Sequence, residues 1–188
     1  MTKKKYRFWK RLIDIMMSVL LLIFLAPLMI VVALLVRCVD KGPVIYKQER
    51  LGLCSQPFLI YKFRSMSVLA PELPAKDIDP DRHVTKLGRF LRKTSIDELP
   101  QLLNILKGEM SFVGPRPLIL AEGEILERRR ELGIDQLSPG LTGWAQVMDR
   151  QIKDQSMKIA FELHYKEHQS LWLDIKIMFL TIFRLRGK

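Results

Sequence analysis

Cysteine and histidine are scarce in this chain of 188 residues, and acidic residues are outnumbered. Only Cys38 and Cys54 are present, which excludes a disulfide framework and a four-ligand zinc site and fits reduced thiols in a cytosolic setting. His83, His164 and His168 follow no metal-ligand spacing. Twenty acidic residues face 31 basic ones, giving a formal net charge of +11. There is no zinc-finger, leucine-zipper or RNA-recognition pattern, and the basic residues are dispersed through apolar stretches, so nucleic acid is not the expected partner. Anionic lipid headgroups and phosphorylated substrates suit that charge better. Internal repeats and low-complexity segments are also absent.

What is present first is a long apolar run. Ile15 to Val36 carries no charge, and as a helix rising 1.5 Å per residue it could cross about 30 Å of hydrocarbon. Pro27 near its middle predicts a kink. Both flanks are basic, with Lys3, Lys4, Lys5, Arg7, Lys10 and Arg11 before the run and Arg37 and Lys41 after it. The residues leave two topologies open, a spanning helix and a hairpin dipping into one leaflet with both ends cytoplasmic. The run is too long for a signal peptide. Asp14 at its entrance is expected to pair with Arg11 or a neighbouring cation.

The remaining chain, about 150 residues, has the size of one compact domain, giving a division into 1–40, a basic N-terminus and membrane helix, and 41–188, a catalytic domain. After the break at Gly42-Pro43, Val44 to Tyr46 and Phe58 to Arg64 have the β-branched and aromatic content of a small hairpin turning near Gly52 to Pro57. Residues 70–82 read as an exposed loop. Leu87 to Leu91 and Leu99 to Leu106 have helical spacing, with Gly108 as a C-cap. Residues 121–132 predict a solvated helix, and Ser138 to Gly143 is turn chemistry. Leu171 to Arg184 predicts an interfacial amphipathic helix with Trp172 at headgroup level, or alternatively a core helix.

The chemistry concentrates in Ser95-Ile96-Asp97-Glu98. Its S-x-x-E spacing predicts a capping box, which would put Asp97 and Glu98 at a helix N-terminus that favours ionised carboxylates. An ionised aspartate beside a divalent cation can attack phosphorus and form an acyl phosphate. Adjacent carboxylates repel unless a cation lies near, so Mg²⁺ held by Asp97 and Glu98 is the natural partner. The alternative is plain capping and dipole complementation. Gly114-Pro115-Arg116-Pro117 braces Arg116 between two prolines as a phosphate clamp or, equally, as a structural arginine paired to a carboxylate. Arg92, Lys62 and Arg64 are further candidates for diphosphate oxygens.

Residues 92–117 resemble the signature of the bacterial sugar transferase family, the monotopic phosphoglycosyl transferases. The likeness extends through Lys10-Arg11-Leu12-Ile13-Asp14, Gln48-Glu49-Arg50-Leu51-Gly52, Tyr61-Lys62-Phe63-Arg64-Ser65-Met66, Pro139 to Val147 and Ser170 to Lys176. It implies an α+β fold: a mostly helical monotopic membrane protein with a re-entrant N-terminal helix, interfacial amphipathic helices and a small β-hairpin. It implies that Asp97 is the nucleophile, that Glu98 assists at the metal or in proton transfer, and that Arg92, Lys62 and Arg64 border the active site. Gln146 and Arg150 lie in the 144–150 loop, which would hold the nucleotide sugar.

The implied reaction moves sugar 1-phosphate from a UDP-sugar to polyprenol (undecaprenyl) phosphate with release of UMP, at the cytoplasmic face of a bacterial plasma membrane. It would be a first membrane step of glycan synthesis, with the bilayer as a partner and a homodimer compatible. The chain departs from the family at Ala26-Pro27, where Ser-Pro is common, at Val147-Met148-Asp149-Arg150, which bears on sugar preference, and at Glu162-Leu163-His164-Tyr165. Without the upstream helices of larger relatives it resembles a minimal catalytic form. The alternatives are transfer through one ternary complex and an inactive membrane scaffold.

Overall fold

The structure, a computed structural model, describes residues 2–68, 83–148 and 154–185. The predicted loop over 70–82 lies outside the described residues. The first helix, α1 (Lys3–Val39), starts at Thr2, whose hydroxyl accepts from the Lys5 N–H, and it continues through Pro27 as one helix. An 18-residue stretch of it has a mean hydropathy of 3.3, so it is long and apolar enough to cross a bilayer. One face packs on the globular body along its whole length: Met17, Leu21 and Leu22 meet the main core, while Met29, Val32, Ala33 and Val36 meet a second one. The opposite face, with Leu20, Ile23, Phe24, Ile30, Val31 and Leu34, is exposed.

Polar contacts fix the entrance of α1. Arg11 donates to the carbonyls of Ile105 (2.5 Å) and Leu106 (2.7 Å), near the C-terminal end of α3 (Gln101–Lys107), where unpaired carbonyls and the dipole favour a cation. Asp14 therefore does not take the ion pair expected with Arg11. Buried against β3 (Ser111–Val113), it accepts from the Phe112 N–H at 3.1 Å. Lys10 pairs with Asp174 at 2.8 Å. The same carboxylate accepts from the hydroxyls of Tyr6 (2.8 Å) and Tyr165 (2.7 Å), joining α1, α6 (Gln155–Glu167) and α7 (Leu171–Leu185).

The predicted hairpin is present as β1 (Ile45–Leu51) and β2 (Pro57–Phe63), antiparallel in a register running from Ile45 opposite Phe63 to Leu51 opposite Pro57. Asn104, fully buried on α3, locks it to the core. Its side chain accepts from the Tyr61 N–H (3.1 Å) and donates to the Leu59 carbonyl (2.7 Å) and to Glu109 (2.7 Å). Asn104→Leu leaves those groups unpaired, at about 1–3 kcal/mol for each buried one. Its denaturation midpoint should fall well below that of Leu103→Ala at the neighbouring exposed position, and equal midpoints would contradict this role.

Gly108 ends α3 at φ 90°, as predicted. Residues 140–142, read as turn, instead form β4 (Gly140–Thr142), parallel to β3 with Ser111 opposite Gly140 and Val113 opposite Thr142. The charged helix is α4 (Gly123–Glu131), but Arg129 in it is buried rather than solvated. On α7, Asp174 and Ile177 are buried, whereas Trp172, Ile175, Phe179, Ile182 and Phe183 form an exposed apolar stripe. This matches the amphipathic pattern and not a fully buried core helix.

Candidate active site

The acidic pair is placed by two short helices with a tight turn between them. The first, α2 (Lys86–Thr94), is capped by the Thr85 hydroxyl, which accepts from the Gly88 N–H at 2.9 Å. A Cβ on Gly88 would fall 1.8 Å from the Ser65 carbonyl oxygen, so only glycine lets α2 pack this closely on the chain leaving β2. That approach brings Arg92 Nε to Ser65 Oγ at 2.8 Å. Ser95 then turns the chain at φ 58°, Ile96–Glu98 make one 3₁₀ turn, and α3 follows Pro100. The expected capping box does not form. Ser95 ends α2 in the left-handed region, and its side chain makes no capping bond.

Glu98 pairs instead with Lys62 of β2 at 2.8 Å, where both side chains are partly exposed. Asp97 is buried. Burial raises its carboxyl above the usual carboxylate range and the Glu98 charge raises it further, while Lys62 and Arg92 act in the opposite direction. The expected bias toward ionised Asp97 is thus reversed, because one 3₁₀ turn offers few free N–H groups and desolvation dominates.

Asp97, Glu98, Lys62, Arg64, Arg92, Arg116 and Gln146 all line one cavity of about 1630 Å³. Arg64 Nε also donates to the Pro43 carbonyl at 2.9 Å, which ties it to the chain before β1. The Arg116 side chain is exposed and forms no ion pair among the described residues, so the alternative of a carboxylate partner is not realised there. Gln146, on α5 (Trp144–Met148), has a buried Oε1 without a partner among the described residues. Arg150 lies outside the described residues. His164 stacks between Trp144 (5.6 Å) and His168 (4.2 Å), and no cluster of three or more His, Cys, Asp or Glu suited to a metal occurs among the described residues.

Sequence reasoning missed the pair that holds Arg116 in place. Arg129 donates twice to Glu162, at 2.7 and 2.5 Å, and twice to the Arg116 carbonyl at 3.0 Å. The Gly114 N–H donates to the Thr142 carbonyl (2.9 Å), and the Gly140 N–H to the Pro115 carbonyl (2.8 Å). A run of three arginines, Arg128 to Arg130, gave no sign that only the middle one turns inward. The same cavity reaches Met17 and Leu21 of α1 and Met178 of α7, the two helices whose other faces are apolar and exposed. Its walls therefore combine cations for phosphate, a carboxylate pair for nucleophilic or metal chemistry, and an apolar edge.

Comparison with known proteins identifies the family of the chain. A model described as bacterial sugar transferase matches residues 5–188. The UDP-glucose:undecaprenyl-phosphate glucose-1-phosphate transferase of Escherichia coli (strain K12) is 39% identical over 186 residues, covering 95% of this chain and 40% of that protein. The undecaprenyl-phosphate glucose phosphotransferase of Komagataeibacter xylinus is 43% identical over 187 residues, covering 93% of this chain and 35% of that protein. The exopolysaccharide production protein ExoY of Sinorhizobium fredii is 38% identical over 189 residues, covering 92% of this chain and 83% of that protein. The chain spans 40% or less of the length of the first two. With residues 5–188 matched by that family's model, this chain belongs to the bacterial sugar transferase family.

Proposed function

We propose that this chain is a phosphoglycosyl transferase that moves a sugar 1-phosphate from a UDP-sugar to polyprenol phosphate, opening glycan assembly at the cytoplasmic face of a bacterial plasma membrane. The observation that carries the proposal is one cavity joining buried Asp97, with Glu98, Lys62 and Arg92, to α1 and α7. A water-soluble donor and a lipid-borne acceptor need a site at such a boundary.

In the first step an Asp97 carboxylate oxygen attacks the phosphorus that bears the sugar. The bond from that phosphorus to the bridging oxygen breaks, and UMP leaves with the electron pair. In the second step a phosphate oxygen of the polyprenol phosphate attacks the same phosphorus. The acyl phosphate bond breaks, Asp97 returns as a carboxylate, and polyprenol diphosphate sugar is the product. Lys62 holds Glu98 and offsets its charge, and Arg92, fixed on Ser65, faces the phosphates.

Asp97 and Glu98 fit Mg²⁺. They are adjacent hard oxygen donors, burial and the Glu98 charge leave the ionised Asp97 short of a balancing cation, and Mg²⁺ commonly takes one or two carboxylates with the substrate phosphates completing the shell. When bound there, the ion would offset charge on the diphosphate. The reading is tested by UMP release from a panel of UDP-sugars with undecaprenyl phosphate in nanodiscs. Release should stop in EDTA and return with excess Mg²⁺. Release at full rate in EDTA would remove the metal, and no release with any donor would remove the transferase.

Both halves of α1 pack on the same body, through Lys10 and Arg11 at one end and Val32 and Val36 at the other. This supports a helix that enters and leaves one leaflet rather than crossing to the far side. Labels at residues 2 and 188 should react on the same face of sealed vesicles. Labelling from opposite faces would establish a spanning helix instead.

A further inference from the structure

The cavity holds a second group of cations that the steps above leave unused. Arg50 lies near the end of β1, where the Leu51 N–H donates to the Leu118 carbonyl at 2.9 Å and so sets this strand beside the loop carrying Arg116. Its Nη2 donates to Gln48 at 2.6 Å, but its Nε is buried without a partner among the described residues. Lys158 lies one turn before Glu162 on α6, on the same helix face. Because Glu162 grips Arg129 and Arg129 grips the Arg116 carbonyl, Lys158 is carried to the same wall of the cavity.

The carboxylates that bear on these cations, Glu162 and Glu122, are fewer than the cations themselves, Arg50, Arg116, Arg129 and Lys158. Glu162 uses both oxygens on Arg129, and Glu122 accepts from the Ile119 N–H at 3.0 Å. The side chains of Arg116 and Lys158 make no hydrogen bond or ion pair among the described residues. Burial lowers the proton affinity of Lys158; Glu162 and Glu122 oppose this, while Arg129 and Arg116 add to it. Arg50 is lowered first by burial and then by Arg116, while Glu122 opposes this. The charges bearing on Asp97 are different ones, Glu98, Lys62 and Arg92. The wall thus has its own excess of positive charge, and a buried donor there lacks an acceptor.

We propose that Arg50, Arg116 and Lys158 form a seat for a phosphate monoester dianion, separate from the Asp97 site within the same cavity. The inference rests on the transferase reading for its ligand. Transfer of one phosphoryl group between two carriers involves two such monoesters, the leaving UMP and the prenyl phosphate acceptor, each close to doubly charged at neutral pH. Three cations on one wall match that charge, and two of them are arginines able to bind phosphate oxygens bidentately.

The test measures equilibrium binding, without turnover, of UMP and of a short water-soluble prenyl phosphate to the full chain in nanodiscs. The wild type is compared with Lys158→Gln, Lys158→Arg and Arg50→Gln. Lys158→Gln and Arg50→Gln should each weaken one of the ligands about tenfold, the effect of one lost charge-assisted contact, and Lys158→Arg should restore most of the affinity. Selective loss of UMP binding makes the wall the leaving-group seat, and selective loss of prenyl phosphate binding makes it the acceptor seat. Unchanged affinity for both ligands in both Gln variants, with unfolding midpoints near wild type, overturns the proposal. Binding that depends on Lys158 in a chain releasing no UMP from any UDP-sugar would keep the seat and remove the transferase. Turnover with unchanged binding in the variants would do the reverse.

Discussion

Asp97→Asn is expected to lower UMP release by about 10³-fold or more, the scale on which removal of a nucleophile acts. The amide keeps the size of the side chain but cannot form the acyl phosphate. Stability should move the other way. Burial and Glu98 raise the Asp97 carboxyl above its ordinary range. A group raised in the folded state favours folding at low pH, and that contribution is lost as pH rises from the ordinary carboxylate range through the folded value. Wherever Asp97 is ionised in the fold it therefore costs stability that asparagine does not. Metal-free thermal unfolding should show a higher midpoint for Asp97→Asn at pH 7, with the gap closing toward pH 4. A lower midpoint at pH 7 would mean that the carboxylate is stabilised in the fold, against the reading of a desolvated nucleophile.

The largest expected loss of stability lies at a different pair. Arg129 and Glu162 are both nearly excluded from solvent, with side-chain exposures of 7% and 2%. Removing one partner strands a buried charge, at a cost of about 3–5 kcal/mol, whereas replacing both with apolar side chains of similar size can be nearly neutral. Arg129→Met and Glu162→Leu should each lower the denaturation midpoint sharply, and the double variant should recover much of the loss. Additive losses would show that the two side chains act independently. Activity should remain low in the double variant even where stability returns, because the Arg116 carbonyl loses two donors from Arg129.

These two cases show which parts of the molecule could be read from the chain. The apolar run, the β1–β2 hairpin, the Gly108 cap and the amphipathic α7 are set by local patterns of hydropathy, turn residues and β-branched content, and each is present, although β1 runs on to Leu51 beyond the expected Val44 to Tyr46. The acidic pair was legible as a candidate site from its own short motif, although Lys62, the partner of Glu98, lies 36 positions away. Its electrostatics were not. The S-x-x-E spacing implied a cap, but α2 ends at Ser95 in the left-handed region and a 3₁₀ turn follows, with Glu98 directed to Lys62. Long-range partners were equally hidden. Asp14 meets the Phe112 N–H across 98 positions and Arg129 meets Glu162 across 33. Strands β3 and β4, three residues each, are too short to show a period.

In the proposed reaction Asp97 carries the phospho-sugar between donor and acceptor. That role is tested most directly by mixing the purified chain with a UDP-sugar and Mg²⁺ in the absence of polyprenol phosphate and measuring the intact and peptide masses. An added sugar phosphate is expected on the peptide containing Asp97, absent from Asp97→Asn and discharged when undecaprenyl phosphate is added. Steady turnover in the presence of acceptor, with no adduct at any time after mixing with the donor alone, would contradict it and assign the transfer to a single ternary complex.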